Sequence, residues 1–348
     1  MKSKNILLIS ILTAVSGMAF GQSSGTYTVP RTEYGQPDLQ GVWNFSSNTP
    51  MTRPRQYGTQ EFLTPEQIKE VVARQEAAAA AADAAAAQRV VDPDAPEATD
   101  NPGGYNDFWI ESAGIGDVVR TSLIVYPEDG QIPKAVEGAP VQRGGLGPDI
   151  PGERPVRYVV GGIAKDGPED RGLSERCIVG FNSGPPFTPS LYNNNVQIFQ
   201  SKNTAVIMTE MIHDARIVPL GEKPALSDDI RLWSGDSRGW WEGDTLVVET
   251  RNFNGMRQTF ASRGSNLNAV LTEKFTRTSY DNVNYEFTID DPSTFTDKIT
   301  AIVPMTKVAG QLYEYACHEG NYGMTNILRG QRVEEGMTIE GSTTSNAR

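Results

Sequence analysis

From residue 118 onward, short apolar runs alternate with polar positions and end at turn-forming residues. Because successive side chains of a strand point to opposite faces of a sheet, this period of two predicts half-buried β-strands. Short links at 242–244 and 281–282 are typical of hairpins. The predicted strands span residues 119–126, 158–163, 196–200, 204–212, 230–233, 245–250, 271–279, 283–289, 299–305 and 311–317. We therefore expect an all-β or mainly β fold, built as an antiparallel barrel or a sandwich.

One strong helix signal precedes these strands. Thr64-Pro65-Glu66-Gln67 combines an N-cap residue, a proline at the first helical position and a Gln at N3. Alanine-rich sequence extends this helix to Gln88, and because alanines bury little surface, we expect it to be peripheral. A short closing helix is predicted at 321–335, and the Gly/Pro-rich stretch 130–195 is long enough for a functional loop layer or lid.

The domain organisation follows from these segments and from the N-terminus. Lys2 and Lys4 precede an apolar run of about 15 residues, shorter than the roughly 20 that a spanning helix needs. Small residues before Gln22 complete a Sec-type signal peptide with cleavage near Gly21-Gln22, so we expect a periplasmic or secreted protein without a transmembrane segment in the mature chain. The predicted units are a signal peptide (1–21), a segment with the first strand (22–59), the helix and an acidic Pro-rich linker (60–104), and the main β domain (105–340).

The charge and the cysteine count limit the possible partners and suggest a disulfide. The 348 residues include 31 Lys+Arg and 43 Asp+Glu, for a net charge of −12, which disfavours nucleic acid as a partner. The two cysteines, Cys177 and Cys317, are the one possible intramolecular pair. In an oxidising compartment a bond between them would close a loop of about 140 residues and stabilise the fold by roughly 4 kcal/mol. Two buried free thiols are the alternative that the sequence leaves open.

Two short motifs resemble the calycins, the lipocalins and fatty-acid-binding proteins. Gly41-Val42-Trp43 is similar to the first-strand Gly-x-Trp of lipocalins, and residues 241–247 resemble the Trp-x-Gly-Asp-x-Leu hairpin of fatty-acid-binding proteins. The resemblance implies a calycin-like barrel that encloses a ligand, with Trp43 at its closed end. Longer stretches at 37–43, 210–216, 235–245 and 313–322 resemble a largely uncharacterised family of exported bacterial proteins, which implies no particular activity.

The first candidate site is the segment from Glu210 to Arg216. If the strand predicted from residue 204 continued through it, Glu210, Asp214 and Arg216 would project from one face, and His213 from the other unless a bulge turned it. A carboxylate pair beside an Arg is suited to ordering a polar ligand or to proton transfer. A salt-bridged strand end is the alternative interpretation.

The second candidate site is the polar and aromatic cluster from Tyr313 to Tyr322. On a strand, Glu314 and His318 would share one face, and a Cys177–Cys317 bond would bring Arg176 near His318. A neutral His with a Tyr hydroxyl and an Arg can abstract a proton next to a carbonyl group. A hydrogen-bonded structural His is the alternative.

These clusters predict an enzyme that performs acid–base chemistry, namely elimination, isomerisation or hydrolysis, on a polymer-derived or aromatic small molecule. The predicted catalytic residues are His213, His318, Tyr313, Asp214 and Arg216. The predicted substrate-binding residues, chosen for a small-molecule or saccharide-like ligand, are Arg176, Glu210, Asn194, Arg238, Trp240, Trp241, Glu319 and Tyr322, and the nearby Trp233 is a further stacking candidate. The alternative is a non-catalytic, lipocalin-like periplasmic binding or carrier protein.

No cofactor is expected. A divalent metal held by His213, His318, Asp214 and Glu319 is the alternative, although no His-x-His or His-x-x-x-His spacing supports it.

Overall fold

The computed structural model describes residues 27–87, 118–142 and 165–337. The predicted signal peptide, the linker at 92–104 and the strand at 158–163 lie outside these ranges.

The described residues form one ten-stranded antiparallel sheet and two α-helices, which confirms the predicted mainly β fold. The strands are β1 Gly41–Asn44, β2 Ile124–Tyr126, β3 Asn195–Gln200, β4 Thr204–Thr209, β5 Ala215–Pro219, β6 Asp236–Glu242, β7 Thr245–Arg251, β8 Val270–Arg277, β9 Asn282–Asp290 and β10 Ile299–Val308. Their order is β5-β4-β3-β1-β10-β9-β8-β7-β6, and β2 adds to β10. The link at 242–244 is a tight hairpin, since Glu242 pairs with Thr245 across the turn.

The two end strands of the sheet approach each other. Leu220, which follows β5, forms a parallel bridge with Gly239 of β6, and the Gly221 N–H donates to the Gly239 carbonyl at 2.9 Å. A Cβ on Gly239 would lie 2.9 Å from side-chain atoms of Val218 and Leu220, so glycine permits this contact. The sheet therefore curls around one face, although a continuous ladder between β5 and β6 is absent from the described residues.

The curled face carries the hydrophobic core. In β9, alternate residues Val283, Tyr285, Phe287 and Ile289 are buried, as the period-two pattern predicts. Trp43 is fully buried, and its indole N–H donates to the Leu39 carbonyl at 2.8 Å. These side chains belong to one continuous cluster that fills the interior of the sheet.

Both predicted helices are present. Helix α1, Pro65–Ala87, begins with the predicted capping box, because the Thr64 N–H donates to Gln67 Oε1 at 2.8 Å and the Gln67 N–H donates to Thr64 Oγ1 at 3.3 Å. Helix α2, Tyr322–Glu334, has no buried residues. The Cys177–Cys317 disulfide, which the sequence left open, joins the segment before α2 to the chain that precedes β3.

Several strand predictions were wrong in extent or type, and of the strand predicted at 119–126 only Ile124–Tyr126 lies in the sheet. The strand predicted at 204–212 ends at Thr209, because Ile212 and His213 adopt positive φ values of 61° and 44° that interrupt an extended chain. Residues 230–233 form a turn with one isolated bridge at Leu232, and residues 311–317 are irregular. An alternating sequence forms a strand only where a neighbouring strand pairs with its backbone N–H and C=O groups, and the alternation itself does not show whether that neighbour exists.

Candidate functional site

A cavity of about 350 Å³ lies where two loops cover one end of the sheet interior. The loops are residues 180–189, before β3, and 253–266, after β7, and we call this space the loop-end cavity. Its aromatic lining consists of Phe181, Trp233, Phe253 and Phe260. Its polar lining includes Thr188, Asn254, Arg257, Gln258, Thr259 and Asn266. The volume falls within the roughly 300–1,000 Å³ range of small-molecule sites.

The first loop is anchored through Phe187. Its ring is buried and stacks on Phe45 with a centroid distance of 5.4 Å, and its N–H donates to the Tyr285 hydroxyl at 3.1 Å. Close packing also requires Gly180, where an added Cβ would lie 2.6 Å from a side-chain atom of Met211. This wall of the cavity is therefore attached directly to the sheet interior.

The second loop is anchored by a buried glutamine. Gln142 donates from Nε2 to the Arg257 carbonyl at 3.1 Å, and its Oε1 accepts from the Thr259 N–H at 2.8 Å. Arg231 adds hydrogen bonds to the carbonyls of Phe253 and Leu267, at 3.2 Å and 2.6 Å. These contacts hold the backbone on both sides of Arg257.

Among the described residues that line the loop-end cavity, Arg257 is the only charged one. Its side chain is 12 % exposed. Nη1 donates to Ser234 Oγ at 2.8 Å and lies 3.9 Å from Asp214 Oδ2. Burial lowers the pKa of Arg257 to about 10, while Asp214 opposes this shift and Arg216 adds to it. The guanidinium is therefore still charged at neutral pH.

A buried ion pair lies behind Arg257 in the sheet interior. Arg216 of β5 contacts Glu273 of β8 through two parallel bonds, Nη1 to Oε2 at 2.5 Å and Nη2 to Oε1 at 2.9 Å. The Tyr285 hydroxyl donates to Glu273 Oε1 at 2.8 Å. Burial would lower the pKa of Arg216, but the charge of Glu273 raises it above its usual value. Burial, and then Glu273, raise the pKa of the Tyr285 hydroxyl.

The structure separates the residues predicted to project together from the first candidate site. Because the strand ends at Thr209, Glu210 instead accepts a hydrogen bond from Asn195 Nδ2 at 2.9 Å, and His213 is exposed on the turn. Asp214 and Arg216 do interact, since the charge of Asp214 contributes to the raised pKa of Arg216. Asp214 Oδ2 also lies 3.9 Å from Arg257 Nη1.

The second candidate site is a surface segment. Tyr313 is 79 % exposed, and His318, Glu319 and Tyr322 are also exposed. Because residues 311–317 are not a strand, the predicted sharing of a sheet face by Glu314 and His318 is wrong. The disulfide does bring the Arg176 segment close, since Asn321 donates to the carbonyl of neighbouring Glu175 at 2.8 Å. Within the described ranges, Arg176 and His318 share no hydrogen bond.

The predicted binding residues of the sheet have partners within the protein. Arg238 pairs with Glu249 at 2.5 Å, and Trp240 donates to Glu242 Oε1 at 2.9 Å. Trp241 packs against the core. Asn194 is buried and bonds to the backbone of Ser190, as its Oδ1 accepts from the N–H at 2.7 Å and its Nδ2 donates to the carbonyl at 2.9 Å.

None of the predicted catalytic or substrate-binding residues lines the loop-end cavity, whereas Trp233, the further stacking candidate, does. Sequence reasoning missed Arg257, because it lies in an irregular loop without periodicity or a recognised motif. The described residues contain no group of three or more His, Cys, Asp or Glu side chains placed to hold a metal ion. His213, His318, Asp214 and Glu319 therefore do not form the alternative metal site.

A larger cavity of about 920 Å³ lies between α1 and the outer face of β9 and β10. Its walls include the apolar residues Leu63, Val71 and Ile302. Among the described residues of its lining, the two cationic ones are engaged elsewhere, because Arg120 pairs with Glu61 and Lys307 lies 4.3 Å from the ring centre of Tyr280. The loop-end cavity is therefore the better candidate for specific recognition.

Among the residues that the structure describes, no helix has the length and apolar character needed to cross a bilayer. Comparison of the chain with protein-family models, curated proteins and solved structures finds no match.

Proposed function

We propose that the protein is an exported binding protein, which takes a small organic molecule with a flat apolar part into the loop-end cavity. The observation that carries this proposal is the lining, in which four aromatic side chains surround about 350 Å³ and neither histidine takes part. Aromatic rings provide large contact areas for flat ligands, and a few convergent polar groups orient them.

Binding without turnover is favoured over acid–base catalysis by the position of the titratable groups. His213, His318 and Tyr313 are exposed and do not line the cavity, while Asp214 is held beside Ser234 and Arg257. A general base must come within hydrogen-bond reach of the proton it removes. A ligand in the loop-end cavity would therefore meet an arginine, amides and hydroxyls, but none of these predicted bases.

Export is part of the same proposal. The disulfide between Cys177 and Cys317 is typical of proteins that fold in an oxidising compartment, and the predicted signal peptide would direct the chain there. A sheet that curls around one face also supports a calycin-like mode of binding.

The experiment is a ligand titration of the mature protein followed by tryptophan fluorescence and calorimetry. Trp233 lines the cavity, so an aromatic ligand is expected to change its emission, and W233F should remove most of that change. W240F is the matched control, because Trp240 lies on β6 and does not line the cavity. The proposal would be overturned if the ligand changed the emission of W233F as much as that of the wild type, or if no compound of a broad aromatic panel bound. Chemical conversion of a bound compound, detected by mass spectrometry, would favour the enzyme instead.

A further inference from the structure

Arg257 has an unused recognition edge at the loop-end cavity. Nη1 donates to Ser234, but Nε and Nη2 donate no hydrogen bond to the described residues. The side chain as a whole is only 12 % exposed. The Nε–Nη2 edge of a guanidinium matches the two oxygens of a planar carboxylate.

The surrounding charges favour one negative charge on the ligand. Asp214 lies 3.9 Å from Nη1, at the limit of an ion pair, and also faces Arg216. Glu273 is committed to Arg216 through two short bonds, and its carboxylate is fully buried. Among the described residues, no carboxylate lines the cavity itself. One guanidinium carries one positive charge, which balances a carboxylate monoanion but leaves one charge of a phosphate dianion unpaired.

The backbone around Arg257 is also held in place before a ligand arrives. Gln142 bonds the Arg257 carbonyl and the Thr259 N–H, and it is 6 % exposed. Thr259 lines the cavity, and its own buried hydroxyl oxygen has no hydrogen-bond partner in the described structure. A preorganised donor costs less to order when a ligand binds.

We infer that the loop-end cavity selects aromatic monocarboxylates, whose carboxylate pairs with the Nε–Nη2 edge of Arg257 while the ring packs among Phe181, Trp233, Phe253 and Phe260. Asp214 and Ser234 act as positioning residues that hold the other side of the guanidinium. This inference rests on the proposed ligand-binding function and specifies its ligand class.

The test compares carboxylates with neutral amides of nearly equal size. Benzoate and benzamide, phenylacetate and phenylacetamide, and cinnamate and cinnamamide are titrated into the mature protein at pH 7. The carboxylate of the best-bound pair is expected to bind at least about tenfold more tightly. R257Q should weaken carboxylate binding far more than amide binding and so abolish this preference, and R257K should retain part of it, since lysine keeps the charge but not the planar fork.

R238Q is the matched control, because Arg238 carries the same charge on β6 and does not line the cavity. Circular dichroism and thermal melting establish that each variant is folded. Equal binding of carboxylate and amide, or a preference that survives R257Q, overturns the inference and leaves the proposed binding function intact. Failure of both members of every pair to bind overturns the inference and the proposed function together.

Discussion

Arg216 and Glu273 form a bidentate ion pair inside the curled sheet, with N–O distances of 2.5 Å and 2.9 Å and side chains 7 % and 0 % exposed. The pair connects β5, at one end of the sheet order, to β8 near the other end. The Tyr285 hydroxyl donates to Glu273 and accepts from the Phe187 N–H, which connects the pair to the first loop. The charge of Asp214 raises the pKa of both Arg216 and Arg257, which connects the pair to the second loop. Through these two intermediate residues, one buried pair is linked to both walls of the loop-end cavity.

Breaking this pair is expected to destabilise the fold strongly. E273Q leaves the buried guanidinium of Arg216 without its bidentate carboxylate partner, which should cost about 3–5 kcal/mol in the free energy of unfolding by urea. E286Q is the control, because Glu286 pairs with Lys274 at 3.6 Å in a partly exposed position and should lose less than about 1 kcal/mol. A double variant, R216M/E273L, should be more stable than E273Q, since it leaves no unpaired charge. Equal losses in E273Q and E286Q would contradict this account.

Arg277 is expected to stabilise the end of the sheet that carries Trp43. Its guanidinium lies 5.4 Å from the ring centre of Trp43 and donates to the carbonyls of Asp38 and Tyr280, both at 2.8 Å. R277A should cost about 2–4 kcal/mol in urea unfolding, because it removes a cation–π contact and leaves carbonyls unsatisfied. K307A, which removes a cation from the ring of half-exposed Tyr280, should cost less than about 1 kcal/mol. A larger loss in the free energy of unfolding for K307A than for R277A would show that Arg277 does not stabilise the end of the sheet that carries Trp43.

Reduction of the Cys177–Cys317 disulfide is expected to release α2 without unfolding the sheet. Helix α2 buries no residue, and its other described attachments include hydrogen bonds from Asn321 to Glu175 and from Arg332 to Asp166. Few buried contacts mean a low local free energy of opening. In the double variant C177S/C317S, amide exchange in α2 should accelerate about tenfold or more, whereas β8 and β9 serve as an internal reference with unchanged exchange. Uniform acceleration throughout the sheet would contradict this prediction.

The preference for carboxylates is expected to depend on pH through Arg257. Burial lowers the pKa of Arg257 to about 10, so the guanidinium is charged at neutral pH. It loses its proton as the pH rises through this value, and a bound carboxylate moves that loss to a somewhat higher pH. Neighbouring Arg216 stays charged over this range because Glu273 raises its pKa. The ratio of carboxylate to amide affinity should therefore be constant from about pH 7 to about pH 9 and fall near pH 10–11. Calorimetric titration measures this ratio, and a fall already complete by about pH 9 would assign the preference to another group.

Local rules were sufficient for most of the secondary structure. Alternation in β9 predicted which of its side chains are buried, and the spacing of Thr64 and Gln67 predicted the capping box of α1. These predictions succeed because the interacting groups are a few residues apart, so the chain meets the same geometry in any fold.

The end of strand β4 at Thr209 was not predictable in this way. The chain turns there at buried Met211 and Ile212, and Met211 packs against Gly180, about 30 residues earlier in the sequence.

The sequence by itself determined a mainly β fold, two helices, and a single possible cysteine pair. Only the tertiary structure decided that this pair is bonded, that Arg216 meets Glu273 at a sequence separation of 57, and that Arg257 and Trp233 line one cavity. The two polar clusters that the sequence suggested as sites, at 210–216 and 313–322, lie at a turn and in an exposed segment. The loop-end cavity is instead lined by loops that carry no recognised motif. Strand periodicity is a property of neighbouring residues, but a binding site depends on which distant segments the curled sheet brings together.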